Sequence, residues 1–470
     1  MVQSSFYRSF SKARSAVVGV VLLVVQFSSL KAANVELTEP AQVPDKTLLK
    51  QSDIEEHLSY DSTDITTEHL DITNYDVQPE LAKKGDVQKQ EQSLYPGVSV
   101  EQNRLAEKMV HLIYSFDWDG AEQIALVMRE LEKEEHLSPL SYLLLVSMKI
   151  FQIQNNEYPD EQARLELLKE VDELAPEGLR LSDVSSSPDS LLAINLLIHG
   201  GIKGFRATLK MERSLIQAAR DGFGALRLLE QLVETEPSIK DGYLGLGLFY
   251  SSLSKAPGIV RAALSIGGRR ISLSKGLDYL RKAAYGGQYT NSVAMLYLIQ
   301  FLDPYYGHTS AEKCSLFATL QSRYPHNSYY VFLQLDEYLC FHRQKLSDFT
   351  LSEHYKDKIR NFKEFNHSTK KYSTLVKYQY RLINPYPPQD LEPNLKFDLR
   401  EFEFYPVFLQ AVREKILLSN QSEADSDYSS RREFIRKKGE KAQELLENSI
   451  MGPGRRGFYA WHIRDALNLR

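Results

Sequence analysis

Residues 242–254 read GYLGLGLFYSSLS, an apolar run that carries two aromatic positions and a Leu-Gly pair at regular intervals. Tyr243, Leu246, Gly247 and Tyr250 are separated by steps of three, one and three residues. Side chains at such steps share one face of an α-helix. The run is therefore predicted to be one helix of a closely packed helix pair.

A second helical pattern, with small or apolar residues at positions i, i+4 and i+7, recurs along the chain. A small residue at these positions lets a neighbouring helix cross closely, as in an antiparallel hairpin. Three of the five copies are followed by a proline that cannot continue a helix: Pro237, Pro325 and Pro453. The five sets are Ala121, Ala125 and Met128; Ala225, Leu229 and Leu232; Gly276, Leu280 and Ala283; Ala311, Ser315 and Ala318; and Ala442, Leu446 and Ser449.

These residues resemble the tetratricopeptide repeat (TPR) superfamily, whose helix pairs carry an aromatic residue, Leu-Gly, Tyr, small residues and a terminal Pro at these offsets. The stretch at residues 242–298 looks like exported bacterial proteins of this superfamily that contain an inserted helix, here within residues 255–275. The resemblance implies an all-α solenoid of antiparallel helix pairs over residues 101–345 and a carboxy-terminal helical extension over residues 346–470. Such relatives are binding scaffolds without a known reaction, which implies that this chain is not an enzyme.

Two Ser-Pro pairs, Ser138-Pro139 and Ser187-Pro188, each precede an apolar run. Serine is a preferred cap at a helix amino terminus, and proline is tolerated at the first helical position. We therefore expect helices to begin at both pairs, with the two serine hydroxyls as caps. The end of a solenoid needs a cover, so the last stretch of the chain is expected to be a capping helix. That helix is expected to bury Phe458 and Trp461.

The first 33 residues have the order of a secretory signal. Arg8, Lys12 and Arg14 precede an apolar run at residues 16–27, which is shorter than the roughly 20 residues of a membrane-spanning helix. Residues 1–33 are therefore expected to be a signal peptide or an uncleaved amino-terminal anchor. This predicts an exported protein of the periplasm or cell envelope, with a membrane contact only through such an anchor.

Charge is distributed unevenly along the 470 residues. The formal net charge of −5 divides into +4 for residues 1–33, −9 for residues 34–100 and zero for residues 101–470. Low hydrophobicity with charge of one sign predicts that residues 34–100 are a disordered acidic tether. A neutral body lacks the basic excess that binding to a phosphate backbone requires, so no nucleic-acid partner is expected.

The concave groove of a helical solenoid predicts that the partner is a protein or peptide. Candidate groove residues are Tyr243 and Tyr250, whose positions also suit packing between helices, and Arg269 and Arg270, which could meet an acidic or phosphorylated ligand. The sequence contains no metalloprotease, serine-hydrolase or phosphate-loop motif, and its histidines are dispersed. No catalytic residue, cofactor or metal site is therefore expected.

Two other functions remain open. The chain could be a periplasmic accessory component of a solute-uptake system, since related helical repeat proteins serve there. It could also be an envelope enzyme whose site joins two carboxylates from distant helices.

One local acidic group is expected to have no binding or catalytic role. Glu132, Glu134 and Glu135 surround Lys133 and are predicted to form a solvated helix end.

The two cysteines, Cys314 and Cys340, are the only ones in the chain. If residues 311–323 and 328–342 form an antiparallel pair that turns near His326, the two thiols lie opposite each other. An oxidising compartment allows a disulfide, but helix axes about 8–10 Å apart often leave the Cα atoms too distant. A disulfide and two buried free thiols both remain open.

Overall fold

Helix accounts for 82% of the residues that the computed structural model describes, and these residues contain no strand. The predicted all-α class is therefore confirmed. Residues 1–94 lie outside this description, and with them the predicted signal peptide or anchor and nearly all of the predicted tether. The described residues are 95–210, 214–254, 271–302, 311–341, 349–364, 366–384, 400–419, 427–449, 459, 460 and 463.

Fifteen α-helices and two short 3-10 helices, Val184–Ser186 and Arg400–Phe402, occur in the described residues. None of these helices is both long enough and apolar enough to cross a bilayer. The α-helices are α1 (Val100–Tyr114), α2 (Trp118–Glu134), α3 (Leu140–Gln154), α4 (Glu161–Leu181), α5 (Asp189–Lys210), α6 (Leu215–Thr235), α7 (Gly242–Ser254), α8 (Leu273–Gly286), α9 (Asn291–Phe301), α10 (Ala311–Arg323), α11 (Ser328–Phe341), α12 (Phe349–Arg360), α13 (His367–Ile383), α14 (Tyr405–Ser419) and α15 (Tyr428–Glu447).

Helices that follow one another in the chain pack as pairs. The most extensive contacts are those of α5 with α6, α7 with α8, α14 with α15 and α1 with α2, followed equally by α3 with α4 and α8 with α9. Odd-numbered helices also contact the next odd-numbered helix, from α1 through α3, α5 and α7 to α9, and again between α11 and α13. This is the packing expected when helix pairs stack side by side as structural repeats.

Four of the five predicted sets of small or apolar residues are buried, which supports their assignment to helix contacts. The fourth set is wrong, because Ser315 and Ala318 of α10 are exposed. Leu316, Phe317 and Leu320 occupy the buried side of this helix instead. Burying these larger side chains removes more apolar surface from water than burying a serine and an alanine.

The prolines mark helix ends as predicted where the structure describes them. Helix α6 ends at Thr235 and α10 at Arg323, two residues before Pro237 and Pro325. Pro453 lies outside the described residues.

The two Ser-Pro pairs do precede helix starts, but their serines are not the caps. Helix α3 begins at Leu140 with no side-chain hydrogen bond from the capping position. Ser187, before α5, donates to the carbonyl oxygen of Asp183 (2.8 Å) and accepts from the side-chain amide of Asn195 (2.8 Å). These bonds join Ser187 to the preceding turn and to the interior of α5, rather than to the first amides of the helix.

Glu132 performs the capping role at α3, so the predicted solvated helix end at residues 132–135 is wrong at this position. Its carboxylate is buried and accepts from the backbone amide of Ser141 (2.8 Å) and from the Ser141 hydroxyl (2.5 Å). The side-chain amide of Gln102 on α1 donates to the same carboxylate (3.0 Å). Burial raises the pKa of Glu132 to about 7, although these hydrogen bonds act in the opposite direction.

Two glycines allow α7 and α8 to approach closely. A Cβ atom at Gly247 of α7 would lie 2.7 Å from Cγ of Leu280, and one at Gly276 of α8 would lie 2.6 Å from the backbone nitrogen of Ser251. Both distances are far shorter than an ordinary van der Waals contact. The predicted close crossing at Gly247 and Gly276 is therefore present in the structure.

The segment at residues 95–116 runs past the turns that connect helix pairs. The Tyr95 hydroxyl donates to Asp241 Oδ2 (2.5 Å) at the start of α7. Further along, the Tyr289 hydroxyl, at the turn before α9, donates to Asn103 Oδ1 of α1 (2.7 Å). A Cβ atom at Gly97 would lie 2.7 Å from the backbone oxygen of Ser190 in α5. One segment thus touches the starts of three different helix pairs.

The same segment continues to the starts of α11 and α13. The carbonyl oxygen of Tyr114 accepts from the Asn327 side-chain amide (2.8 Å) and from the Tyr330 hydroxyl (2.9 Å). The carbonyl oxygen of Phe116 accepts from the side-chain amide of Asn366 (2.5 Å). These buried carbonyls at and just after the end of α1 are satisfied by residues more than 200 positions away. The amino-terminal segment thus contacts the starts of α5, α7, α9, α11 and α13.

The carboxy-terminal helices join this core through an aromatic cluster. Asp336 of α11 accepts from the hydroxyls of Tyr405 (2.5 Å) and Tyr459 (2.7 Å), and both rings are buried. Ile463 is buried as well, whereas Phe458 and Trp461 lie outside the described residues. Burial of those two side chains therefore stays a prediction.

Candidate binding surface

The α7–α8 hairpin carries a cluster of three tyrosine rings. Tyr243 and Tyr250 stand seven residues apart on α7, and the ring of Tyr279 on α8 lies between them, with centroid distances of 5.5 and 5.7 Å. Tyr243 is 7% exposed and Tyr250 is 3% exposed, whereas Tyr279 is half-buried. Burial and the neighbouring Tyr279 raise the pKa of the Tyr243 hydroxyl, which therefore stays protonated at neutral pH.

Three lysines cover these rings. The ammonium of Lys275 lies 4.2 Å from the Tyr250 centroid, and that of Lys282 lies 4.8 Å from the Tyr243 centroid. Lys240, in the turn before α7, lies 5.6 Å from the Tyr243 centroid. An ammonium within about 6 Å of an aromatic face is attracted by the ring quadrupole. We call Lys240, Lys275 and Lys282 the lysine stripe.

The lysine stripe is not neutralised by the described part of the protein. None of its three ammonium groups lies within ion-pair distance of a described carboxylate, and Lys240 donates only to the carbonyl oxygen of Pro237 (2.5 Å). The nearby carboxylates of Asp278 and Glu312 are both engaged by Arg281, at 3.2 and 2.8 Å. The stripe therefore presents three positive charges on an aromatic base and suits an anionic ligand.

The predicted site residues have different outcomes. Tyr243 and Tyr250 form the base of this surface. Their rings pack between helices, and the lysine ammonium groups lie above them. Arg269 and Arg270 lie outside the described residues, in the connection that leads to α8. Binding by all four stays a prediction.

The choice between a disulfide and two buried free thiols stays open. Cys314 is half-buried on α10, whereas the side chain of Cys340 on α11 lies outside the described side chains.

Sequence reasoning missed the lysines, although a local signal existed. Lys275, Tyr279 and Lys282 stand at i, i+4 and i+7 and share one face of α8. Lysines on a helix surface are common, so this spacing alone does not predict a binding surface. The surface forms only when α7 packs against α8 and places Tyr243 and Tyr250 beneath the lysines.

No family model, curated protein or solved structure matches this chain. The architecture is all-helical, with the pair packing of a helical repeat.

The buried carboxylate of Asp241 is hydrogen-bonded within the protein. Asp241 accepts from the Tyr95 hydroxyl and from the backbone amides of Gln288, Tyr289 and Thr290, at 2.5 to 3.0 Å. These bonds tie the amino-terminal segment to the turns before α7 and α9, which indicates a structural role.

A second buried cluster places Lys371 of α13 between two carboxylates. Its ammonium lies 3.0 Å from Glu157 Oε1 and 3.4 Å from Glu401 Oε2, and all three side chains are nearly inaccessible to solvent. The Tyr372 hydroxyl donates to the same oxygen of Glu157 (2.6 Å). The cluster joins the turn after α3 to α13 and to the 3-10 helix Arg400–Phe402. Removing one charge from it would leave the others buried without compensation.

Proposed function

We propose that this protein is an exported scaffold of the TPR superfamily that binds a protein or peptide partner and catalyses no reaction. The pairing of consecutive helices and the close crossing at Gly247 and Gly276 support the TPR assignment. The amino-terminal sequence order supports export to the periplasm or cell envelope.

The observation that carries the binding proposal is the lysine stripe on its tyrosine base. The three ammonium groups lie above aromatic rings and have no carboxylate partner within the described part of the chain, so they remain available to an acidic ligand. The tyrosine rings beneath are held by helix packing, so little side-chain freedom is lost when a ligand binds. The partner is therefore expected to present carboxylates or phosphates to the α7–α8 hairpin.

Crosslinking in the cells that produce the protein tests this proposal. Three full-length chains are compared: the wild type, a stripe variant with Lys240→Gln, Lys275→Gln and Lys282→Gln, and a control variant. The control carries the same loss of charge at three exposed lysines elsewhere, as Lys108→Gln, Lys133→Gln and Lys437→Gln.

The expected result is a partner that the wild type and the control variant capture and the stripe variant does not. The captured peptide should be acidic at the point of contact. Equal capture by all three chains would contradict the proposed surface.

A further inference from the structure

The buried cluster around Lys371 places an amine next to a carboxyl group that is 214 positions away in the sequence. Nζ of Lys371 lies 3.0 Å from Oε1 of Glu157, and the two side chains are 3% and 0% exposed. The carboxyl carbon is bonded to Oε1, so it lies within about 4.2 Å of Nζ. Groups held this closely by a folded chain react as if their concentrations were far above those reached in solution.

The carboxyl group of Glu157 has two unlike oxygens. Oε1 accepts from the Tyr372 hydroxyl (2.6 Å), whereas Oε2 is buried and accepts from no residue that the structure describes. A donor fixed at Oε1 stabilises the negative charge that develops there when a nucleophile adds to the carbon. A buried oxygen without a donor costs free energy, so loss of Oε2 removes an unfavourable group.

Glu401 supplies a second carboxylate beside the amine. Its Oε2 lies 3.4 Å from Lys371 Nζ, and its Oε1 accepts from the side-chain amide of Asn156 (3.2 Å). The backbone carbonyl of Asn156 also accepts from Lys371 (3.2 Å), which holds Nζ between the two glutamates. A carboxylate in this position can take a proton from nitrogen and return it to a departing oxygen.

Aromatic rings shield the cluster from water. The centroid of the Tyr372 ring lies 4.7 Å from Nζ, and this ring meets the buried rings of Phe116 and Phe332 at centroid distances of 6.0 and 5.4 Å. Hydrolysis of an amide needs water, which such a site excludes. Burying an ammonium and two carboxylates is costly, and joining one pair as an amide removes two of the three charges. The environment therefore favours condensation over its reversal.

We propose that Lys371 and Glu157 join through an isopeptide bond, an amide between their side chains, with Glu401 as the proton carrier. One proton moves from the Lys371 ammonium to the Glu157 carboxyl group, which gives an amine and a carboxylic acid. Nζ then adds to the carboxyl carbon, and Glu401 takes a second proton from nitrogen. The bond from that carbon to Oε2 breaks, Glu401 returns the proton to the departing hydroxyl, and one water molecule leaves. The step needs no oxidant or co-reactant and occurs once per chain, so it is separate from the proposed binding function.

Mass spectrometry of the full chain, purified in its folded form and then denatured, tests this proposal. The expected result is a mass lower by one water molecule than the sequence of the purified chain requires. Protease digestion should yield one branched peptide in which Lys371 is joined to Glu157. A wild-type chain of unreduced mass, or a water loss located at other residues, would overturn the proposal.

Three variants separate this chemistry from the simple burial of a lysine. Lys371→Arg removes the nucleophile and should abolish the water loss, and Glu401→Gln removes the proton carrier and should lower the yield of branched peptide at least about tenfold. Lys149→Arg is the matched control, because Lys149 is also buried between two glutamates, but Glu122 and Glu170 are 44% and 45% exposed, so water reaches them. It should keep the wild-type water loss.

An unchanged yield in Glu401→Gln, or loss of the branched peptide in Lys149→Arg, would contradict the assigned chemistry. The wild-type measurement does not depend on the folding of any variant, so it decides the proposal by itself.

Discussion

Tyr95 and Asp241 are 146 residues apart in the sequence and are joined by a buried hydrogen bond of 2.5 Å. The bond fastens the amino-terminal segment to the turn before α7, beside Lys240. The same carboxylate accepts backbone amides from the turn before α9. One aspartate thus connects three separate parts of the chain.

Tyr95→Phe tests this connection. The change removes only the hydroxyl, and a hydrogen bond to a charged group contributes about 1.5–3 kcal/mol. We expect the free energy of unfolding, measured by urea denaturation, to fall by that amount. Tyr285→Phe is the matched control because Tyr285 is exposed and its bond to Glu312 is long, at 3.4 Å. Equal losses in the two variants would contradict the role given to Tyr95.

Glu132 predicts a pH-dependent stability. Its pKa is about 7 in the folded protein, above the ordinary value of 4.5, so the folded state binds more protons than the unfolded state between these values. The contribution is complete below pH 4.5 and is lost as the pH rises through 7. The total loss is on the order of 3 kcal/mol at most.

Glu132→Gln should remove this part of the pH dependence. Urea unfolding at several pH values between 4.5 and 8 is the measurement, because the slope of stability against pH reports the difference in bound protons. Glu134→Gln, at an exposed position two residues away, should keep the wild-type slope. An unchanged slope in Glu132→Gln would show that another group is responsible.

The close crossing of α7 and α8 predicts opposite effects for two glycine substitutions. Gly276→Ala would place a Cβ atom 2.6 Å from the backbone of Ser251, and we expect it to destabilise the protein by about 1–3 kcal/mol. Gly222→Ala in α6 meets nothing nearer than Ala207 Cβ at 3.7 Å. It should stabilise the protein by about 0.5–1 kcal/mol because alanine favours the helix. Thermal unfolding of both variants distinguishes these signs, and a stabilising Gly276→Ala would contradict the crossing.

His136, after α2, has a left-handed backbone with a φ of 54° and an exposed side chain. Glycine adopts this conformation without steric penalty and is the common residue after a helix end. His136→Gly is therefore expected to raise the free energy of unfolding by about 0.5–1 kcal/mol. Lys133→Gly, inside the last turn of α2, should lower it by about 1 kcal/mol. Loss of stability in both variants would contradict the assigned helix end.

The sequence was sufficient to predict the helices and their pairing because both depend on local spacing. Tyr243, Leu246, Gly247 and Tyr250 are all buried, as their shared helix face predicts. The same reasoning was wrong for α10. There the pattern of small residues overlaps a pattern of larger apolar residues, and the larger side chains are the buried ones.

Contacts between distant parts of the chain left no local signal. Nothing near Tyr95 indicates that its hydroxyl meets Asp241. Glu132 likewise stands among exposed charged residues, and only its position opposite the start of α3 gives it the role of a cap. The lysine stripe could be predicted only in part. The spacing of Lys275 and Lys282 on α8 is visible in the sequence, but Tyr243 and Tyr250 beneath them belong to α7.

The central claim is that the lysine stripe receives an acidic ligand. The most direct measurement is the affinity of a fluorescent oligo-glutamate peptide for the full-length chain with and without Lys240→Gln, Lys275→Gln and Lys282→Gln. We predict that the three substitutions weaken binding at least about tenfold at 0.1 M salt, whereas Lys108→Gln, Lys133→Gln and Lys437→Gln leave it unchanged. Equal affinities with the stripe intact and with the stripe substituted would contradict the claim.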